Sequence, residues 1–296
     1  MRTIAGFVCV LTMAVCVFAQ SDLDRMIDAE KAFDKAAAES GMKTAFLAYL
    51  SDDSTIFKPN AVNGKEFWRN APDASTALLI RHPSFADIAA NGTLGYTSGR
   101  WEFYPKGNVD PAPQYGQFVT IWERKQSGAF RAVLDIGVAH DKPENPEAQR
   151  DVRVERDRDP NKRGRSAVDA SMNFLRKSMT NSALSGAYEE FAAEDIRVLL
   201  DREPPVTGKK NVLNATRNYR SVDFPKKVAL FDAADLAYTW NPCEYDNTNE
   251  GQRKGNCLHV WKLRNKKWWI VLGVFASLPN ETQPKLLVKP KRKRPA

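Results

Sequence analysis

At 296 residues the chain is long enough for about two domains. Its 43% hydrophobic and 27% charged residues allow a packed core and exclude wholesale disorder, while four Cys, 16 Gly and 17 Pro exclude a disulfide-dense mini-scaffold and a collagen-like chain. The net charge of +8 is concentrated at one end: Lys285, Lys289, Lys291, Arg292, Lys293 and Arg294 carry most of it, so no basic face is expected to track the phosphates of a nucleic acid.

The first element in chain order is an address. Arg2, the uncharged run Ile4 to Phe18 and the small-residue site Val17-Phe18-Ala19 read as a secretory signal (1–19) cleaved after Ala19, giving a secreted or periplasmic protein. The apolar run falls short of the roughly 20 residues of a spanning helix. Cleavage removes Cys9 and Cys16 and leaves Cys243 and Cys257, a candidate disulfide in an oxidising compartment; two free buried thiols are the alternative.

Residues 22–140 begin with Leu23, Met26, Ile27, Phe33, Ala36 and Ala37 at helical spacing, closed by Gly41. A shorter helix follows through Ala45, Phe46, Tyr49 and Leu50, then a short strand at Thr55-Ile56-Phe57 and a helix from Lys65 to Asn70. From Ala77 the period becomes two. Strands are predicted over Ala77–His82 (with a continuation past Pro83 left open), Leu94–Tyr104, Gln117–Arg124 and Ala129–Ala139, separated by turn residues such as Asn91-Gly92.

A charged stretch with eight basic residues, seven acidic residues and three Pro spans 141–165 and reads as a linker. Beyond it, 166–279 repeats the order. Helices are expected at Val168–Met179, Ala183–Phe191 and Lys209–Tyr219. Strands are expected at Ile196–Leu200, Val228–Phe231, Leu236–Tyr245, Cys257–Arg264 and Trp268–Ala276. Without a gap, Trp122-Glu123-Arg124 aligns with Trp261-Lys262-Leu263, and Val274 takes the place of Asp135. Cys243 and Cys257 flank the hairpin turn, directly opposite each other on neighbouring strands and within disulfide reach; the matching places in the first copy hold Trp101 and Phe118. The tail, 280–296, reads either as a disordered solubilising terminus or as a contact to an anionic envelope surface through Lys285–Arg294.

Helices followed by an antiparallel meander bury one sheet face and define an α+β class. Glu30-Lys-Ala-Phe33, Leu94-Gly-Tyr-Thr-Ser-Gly99 with Trp101-Glu102, and Val119-Thr-Ile-Trp122 leading to Val133-Leu-Asp-Ile-Gly137 resemble the SnoaL-like, nuclear transport factor 2-like superfamily, in its bacterial branch of unknown function. The resemblance covers nearly all of 22–140 and is weaker over 166–279. It implies two cone-shaped half-barrels of cystatin-like fold, each with a pocket between the long helix and the sheet. It also implies an intramolecular pseudo-dimer, because such domains commonly pair through their outer sheet faces.

The side-chain inventory limits the chemistry. With only His82, His140 and His259 and no carboxylate pair at ligand spacing, no metal site or cofactor is expected. The candidate general acid or base is Asp135, in the apolar string Val133 to Val138, where desolvation raises its pKa unless a cation or donor compensates; Tyr96 is its candidate partner. The structural alternative pairs Asp135 with Arg100 or Arg131. Candidate ligand-binding residues are His82, Trp101, Trp122, Trp240, His259 and Trp261. The primary functional expectation is binding of a small, mostly apolar molecule in one or both pockets. The alternatives are an isomerase, cyclase or hydrolase using Asp135, and a non-catalytic structural envelope protein.

Overall fold

Residues 21–72, 76–108, 113–143, 167–178, 184–223, 229–247 and 251–279 are described by the structure, a computed structural model. The expected signal segment and basic tail lie outside the described residues, as does the expected linker beyond residue 143.

Helix α1 (Asp22–Ser40) is capped by Ser21, whose side chain accepts from the Asp24 amide, and Asp22 and Asp24 complement the positive end of the helix dipole. Leu23, Met26, Glu30, Phe33 and Ala37 form one buried stripe, so an acid lies on the apolar face. Helices α2 (Met42–Tyr49) and α3 (Gly64–Asn70) complete the helical layer, with Phe46 stacked on Trp68 at 4.7 Å. The strands are β1 (Leu50–Phe57), β2 (Ala61–Asn63), β3 (Leu78–Ile88), β4 (Leu94–Asn108), β5 (Gln114–Arg124) and β6 (Phe130–His140). They form a six-stranded sheet in the order β2-β1-β6-β5-β4-β3, with β1 parallel to β6.

Two differences from the sequence reading have local causes. Strand β1 begins at Leu50 rather than Thr55; its polar Ser51-Asp-Asp-Ser stretch carries no alternation, and the ladder shifts register there. Strand β3 does continue past Pro83, with a register shift between Pro83 and Phe85 where the proline offers no amide.

The second half consists of α4 (Ala167–Ser178), α5 (Leu184–Phe191), β7 (Ala192–Leu200), β8 (Val206–Thr207), α6 (Lys209–Thr216), β9 (Tyr219–Asp223), β10 (Ala229–Ala233), β11 (Leu236–Asn247), β12 (Gly251–Arg264) and β13 (Lys267–Ser277). Helix α6 stops at Thr216 rather than Tyr219 because the chain turns there into β9, which pairs with β11. The main path of this seven-stranded sheet is β10-β11-β12-β13-β7-β8, the same sequence of partners as in the first sheet. Both sheets carry a register shift at the same tryptophan step, Ile121/Trp122 and Val260/Trp261. The turn after β12, with Asn265 and Lys266 at φ 50° and 66°, closes between Leu263 and Trp268, one residue tighter than the turn between Arg124 and Phe130. This corrects the ungapped alignment. Asp135 pairs with Ile56 and Thr120, and the residue with the corresponding pairings, to Val198 and His259, is Gly273 rather than Val274.

The Cys243–Cys257 disulfide is present, but not between directly opposed residues: Cys243 faces Gly255 and Cys257 faces Asn241, a diagonal pair with Cα atoms 6.0 Å apart. Trp101 and Phe118 stand in the same diagonal relation, facing Gly116 and Gly99.

The outer faces of the two sheets pack on each other. Val119, Ile121, Leu134 and Ile136 of the first sheet share one buried apolar layer with Leu258, Val260, Leu272 and Val274 of the second. Polar ties cross at the edges. Arg197 Nη2 donates to Gln117 Oε1 at 2.7 Å, and Asn256 Nδ2 donates to the Pro59 carbonyl at 2.9 Å. Lys262 Nζ, 1% exposed, lies 3.3 Å from Asp87 and 3.2 Å from Asp235. The chain is therefore its own pseudo-dimer. Because both faces of the central strands are covered, β5 is buried from Gly116 to Trp122.

Candidate functional site

Curling of the first sheet around its helices leaves a cavity of about 520 Å³. Its apolar wall includes Phe46, Trp68, Leu79, Trp101, Phe103 and Phe118. The Trp101 ring occupies the space over Gly116, where a Cβ would come within 2.3 Å of the ring and 2.1 Å of the Val138 carbonyl oxygen. Its Nε1 donates to the Gln117 carbonyl at 3.0 Å, which holds the ring in the wall.

The inner end is polar and centred on Arg81 of β3, whose side chain is 2% exposed. The guanidinium lies over the rings of Phe118 and Phe33, 3.7 and 4.7 Å from their centroids. Its polar partners are Glu30 at 2.8 Å, Asp34 at 3.3 Å, Asp135 at 3.3 Å and Thr120 Oγ1 at 2.6 Å. The Thr120 hydroxyl in turn donates to Asp135 Oδ2 at 2.7 Å. Glu30 accepts from Trp122 Nε1 at 3.0 Å and from the Thr97 hydroxyl. Burial, reinforced by the neighbouring Glu30 carboxylate and opposed by Arg81, pushes Asp34 up to about 8. The cluster thus favours the protonated form of Asp34.

Asp135 lines the cavity with its side chain 17% exposed. Both of its side-chain hydrogen bonds end on Oδ2, so among the described residues Oδ1 has no protein donor. The result is a carboxylate pinned by one oxygen and open at the other. The compensating cation and donor are Arg81 and Thr120, not Arg100 or Arg131 as the sequence suggested.

At the mouth stands Lys58, exposed, on a turn closed by its own amide to the Asn60 carbonyl at 2.8 Å. Crowding by the cavity wall lowers the pKa of its ammonium, against the pull of Asp135. The second half completes this rim with Asp201, Asn256, Ala276, Ser277 and Pro279.

The other sequence candidates are dispersed. Tyr96 does not join Asp135; it is 1% exposed on the far face of the sheet, in the layer between the halves, stacked on Phe85 at 5.6 Å. Trp101 lines the cavity, whereas Trp122 is fully buried beneath α1 with its indole bonded to Glu30. His82 stays half-exposed, 3.7 Å from Glu102, and burial followed by Arg100 lowers its pKa. Trp240 packs edge-on against Phe57 at 5.5 Å, between the halves.

His259 and Trp261 lie in the interior of the second half, which is filled differently. Tyr188 of α5 occupies the place that Phe46 has in α2, and its hydroxyl bonds His259 Nε2 at 3.1 Å. Gly273 makes this possible, since a Cβ there would sit 2.5 Å from that hydroxyl. Phe174 packs on His259 at 4.7 Å, and burial pushes the imidazole down to about 3. Trp261 Nε1 donates to Thr239 Oγ1 at 3.0 Å, as Trp122 donates to Thr97 at 3.0 Å. Where the first half keeps a carboxylate over a cavity, the second packs a tyrosine and a histidine.

Sequence reading does not single out Asp34, Arg81 or Lys58, and it quotes Glu30 only within the string Glu30-Lys-Ala-Phe33, without a role in the site. The available signal for Glu30 was its position on the apolar stripe of α1. Arg81 lies in the alternating stretch Ala77–His82, at a position read only as strand. Among the described residues no group of three or more His, Cys, Asp or Glu is placed to hold a metal.

Fold and cavity together define the class: an α+β chain of two helix-on-curved-sheet cones, the first hollow. No protein-family model and no curated protein matches the chain. Among solved structures it is similar to a protein of unknown function with a cystatin-like fold from Nostoc punctiforme, at 13% identity and TM-score 0.33, over 40% of this chain and 96% of that one. It is also similar to an NTF2-like protein from Cytophaga hutchinsonii, at 18% identity and TM-score 0.32, over 38% and 94%. A third is a ketosteroid isomerase-like protein from Erwinia carotovora atroseptica, at 14% identity and TM-score 0.33, over 38% and 93%.

Proposed function

We propose that this is an exported protein of two duplicated domains, 22–140 and 166–279, and that the first binds a small, mostly apolar molecule bearing a hydrogen-bond donor. The observation that carries this reading is the cavity of about 520 Å³ with aromatic walls and Asp135 held through Oδ2 alone. Oδ1 is then an oriented acceptor inside an apolar chamber, where a hydroxyl or amide donor gains most. Binding is preferred to acid–base catalysis because Tyr96, the expected partner of Asp135, lies behind the sheet. It is preferred to a purely structural role because the first interior is not filled by its own aromatics. The packed second domain serves as a wall of the mouth.

Native mass spectrometry of protein purified from its own host tests the proposal. The expected spectrum shows a mature chain lacking residues 1–19 and a bound organic molecule released on denaturation. Titration with a medium-chain α,ω-diol is expected to change the fluorescence of Trp68 and Trp101, with Asp135→Asn weakening the affinity about tenfold, the worth of one hydrogen bond to a charged group. No retained molecule together with a flat titration would remove the binding function.

A further inference from the structure

The reading above leaves the opposite end of the ligand undefined, and Lys58 supplies an answer. We propose that the bound molecule also carries a carboxylate, and that Lys58 at the mouth is its counter-charge. This rests on the first cavity being a ligand site, as proposed above.

Three observations converge. First, the two cations of the cavity wall differ in their surroundings. Arg81 has three carboxylates within 3.3 Å, whereas Lys58 has none within 4.0 Å among the described residues. The nearest aromatic faces to Lys58 Nζ are Phe67 and Trp68, each 5.9 Å away, so its ammonium lacks a close anionic partner.

Second, the field along the cavity has a direction. The inner end holds Glu30 and Asp135 against Arg81 alone and repels an anion. The mouth holds Lys58 and Asp201, so it is less negative than the inner end, and the pull of Asp135 on Lys58 runs along the same axis. An amphipathic acid entering this chamber is therefore oriented with its carboxylate outward and its donor inward. A single ammonium suits a monoanion; a phosphate with two charges would face Asp201 on the same rim, and among the described lining residues the other cation is Arg81, already held by three carboxyl groups.

Third, the position of Lys58 is built. Its turn is closed by the Lys58 amide and tied from the second half by Asn256, which donates to the next carbonyl, Pro59, at 2.9 Å. Asn256 directly precedes Cys257, one end of the disulfide. The second half, with its own interior filled, thus holds the cation over the cavity of the first.

The test compares ω-hydroxydecanoate with the corresponding diol, which differ only at the outer end, by calorimetry on wild type and Lys58→Gln. The acid is expected to bind about tenfold more tightly than the diol, a preference that shrinks as salt is raised and disappears in Lys58→Gln, read as the acid-to-diol affinity ratio within each protein. Because Lys58 is exposed and unpaired, the variant keeps the fold, and circular dichroism checks that it does. Equal binding of acid and diol, or a preference that survives Lys58→Gln, overturns the carboxylate assignment and leaves the pocket standing. Binding of neither compound overturns the assignment together with the pocket.

Discussion

Arg81 shows how one residue organises a site that no local pattern announces. A guanidinium between two aromatic rings loses its water, and three carboxylates and a threonine replace it. Three negative charges around one positive charge are unfavourable in a dry interior, and Asp34 relieves the conflict by keeping its proton up to about 8. The sign of the resulting pH dependence follows. In the unfolded chain Asp34 ionises near its ordinary value of 3.8, and in the fold only near about 8. The stability it contributes is fully present below the lower value and is lost as pH rises through the upper one. Asp34→Asn, which cannot ionise, is therefore expected to flatten the fall in stability between about pH 5 and pH 9. Denaturant titrations at the two pH values measure it, and equal falls in variant and wild type would contradict the assignment.

At the level of elements, the hollow of the first cone depends on where each strand has no side chain. Gly116 of β5 faces Trp101 of β4, and the indole occupies the room left by the absent Cβ. Gly273 of β13 plays the opposite part, admitting the Tyr188 hydroxyl and closing the second cone. The same economy thus opens one interior and fills the other. Gly116→Ala forces a Cβ against a backbone oxygen and a packed ring, and is expected to cost about 1–3 kcal/mol with a loss of diol binding. Chemical denaturation measures the cost; a change below about 0.5 kcal/mol would show that the strand yields without strain.

At the scale of the whole molecule, the two sheets behave as partners in one assembly. Their shared layer is apolar, and its polar edge is set by Lys262, enclosed by Asp87, Asp235 and the Ile88 carbonyl at 3.1 Å. Burial, opposed by Lys262, pushes Asp87 up to about 6. Removing the lysine strands two acids in a closed interface, so Lys262→Ala is expected to destabilise the chain by about 3–5 kcal/mol. Adding Asp87→Asn to that variant recovers part of the loss, because one uncompensated charge is gone. Denaturation of the single and double variants checks the order; a double variant no more stable than Lys262→Ala would contradict the coupling.

Much of the architecture was legible from local pattern. The stripe from Leu23 to Ala37, the change to period two at Ala77 and the turn residues between strands depend on neighbours a few residues apart, so the order of elements in each half could be read directly. The Cys243–Cys257 pair was legible for the same reason, since one hairpin brings both together. Polar Ser51–Ser54 and the brief β2, β8 and β9 were not, because two to five residues carry too little periodicity. The site was legible only in part: Asp135 and Trp101 were singled out and Glu30 was quoted without a role, while Arg81, Asp34 and Lys58 were not. Arg81 meets Asp135 across 54 positions of chain. Nor could local pattern tell that Tyr96 faces away from Asp135, or that Gly273 rather than Val274 takes the acid's place. Those facts depend on strand register, where a one-residue shift turns every side chain to the other face. The sequence by itself determined which elements form and in what order; only tertiary structure decided which cone is hollow, because a cavity is what remains when side chains from distant segments fail to fill the space between them.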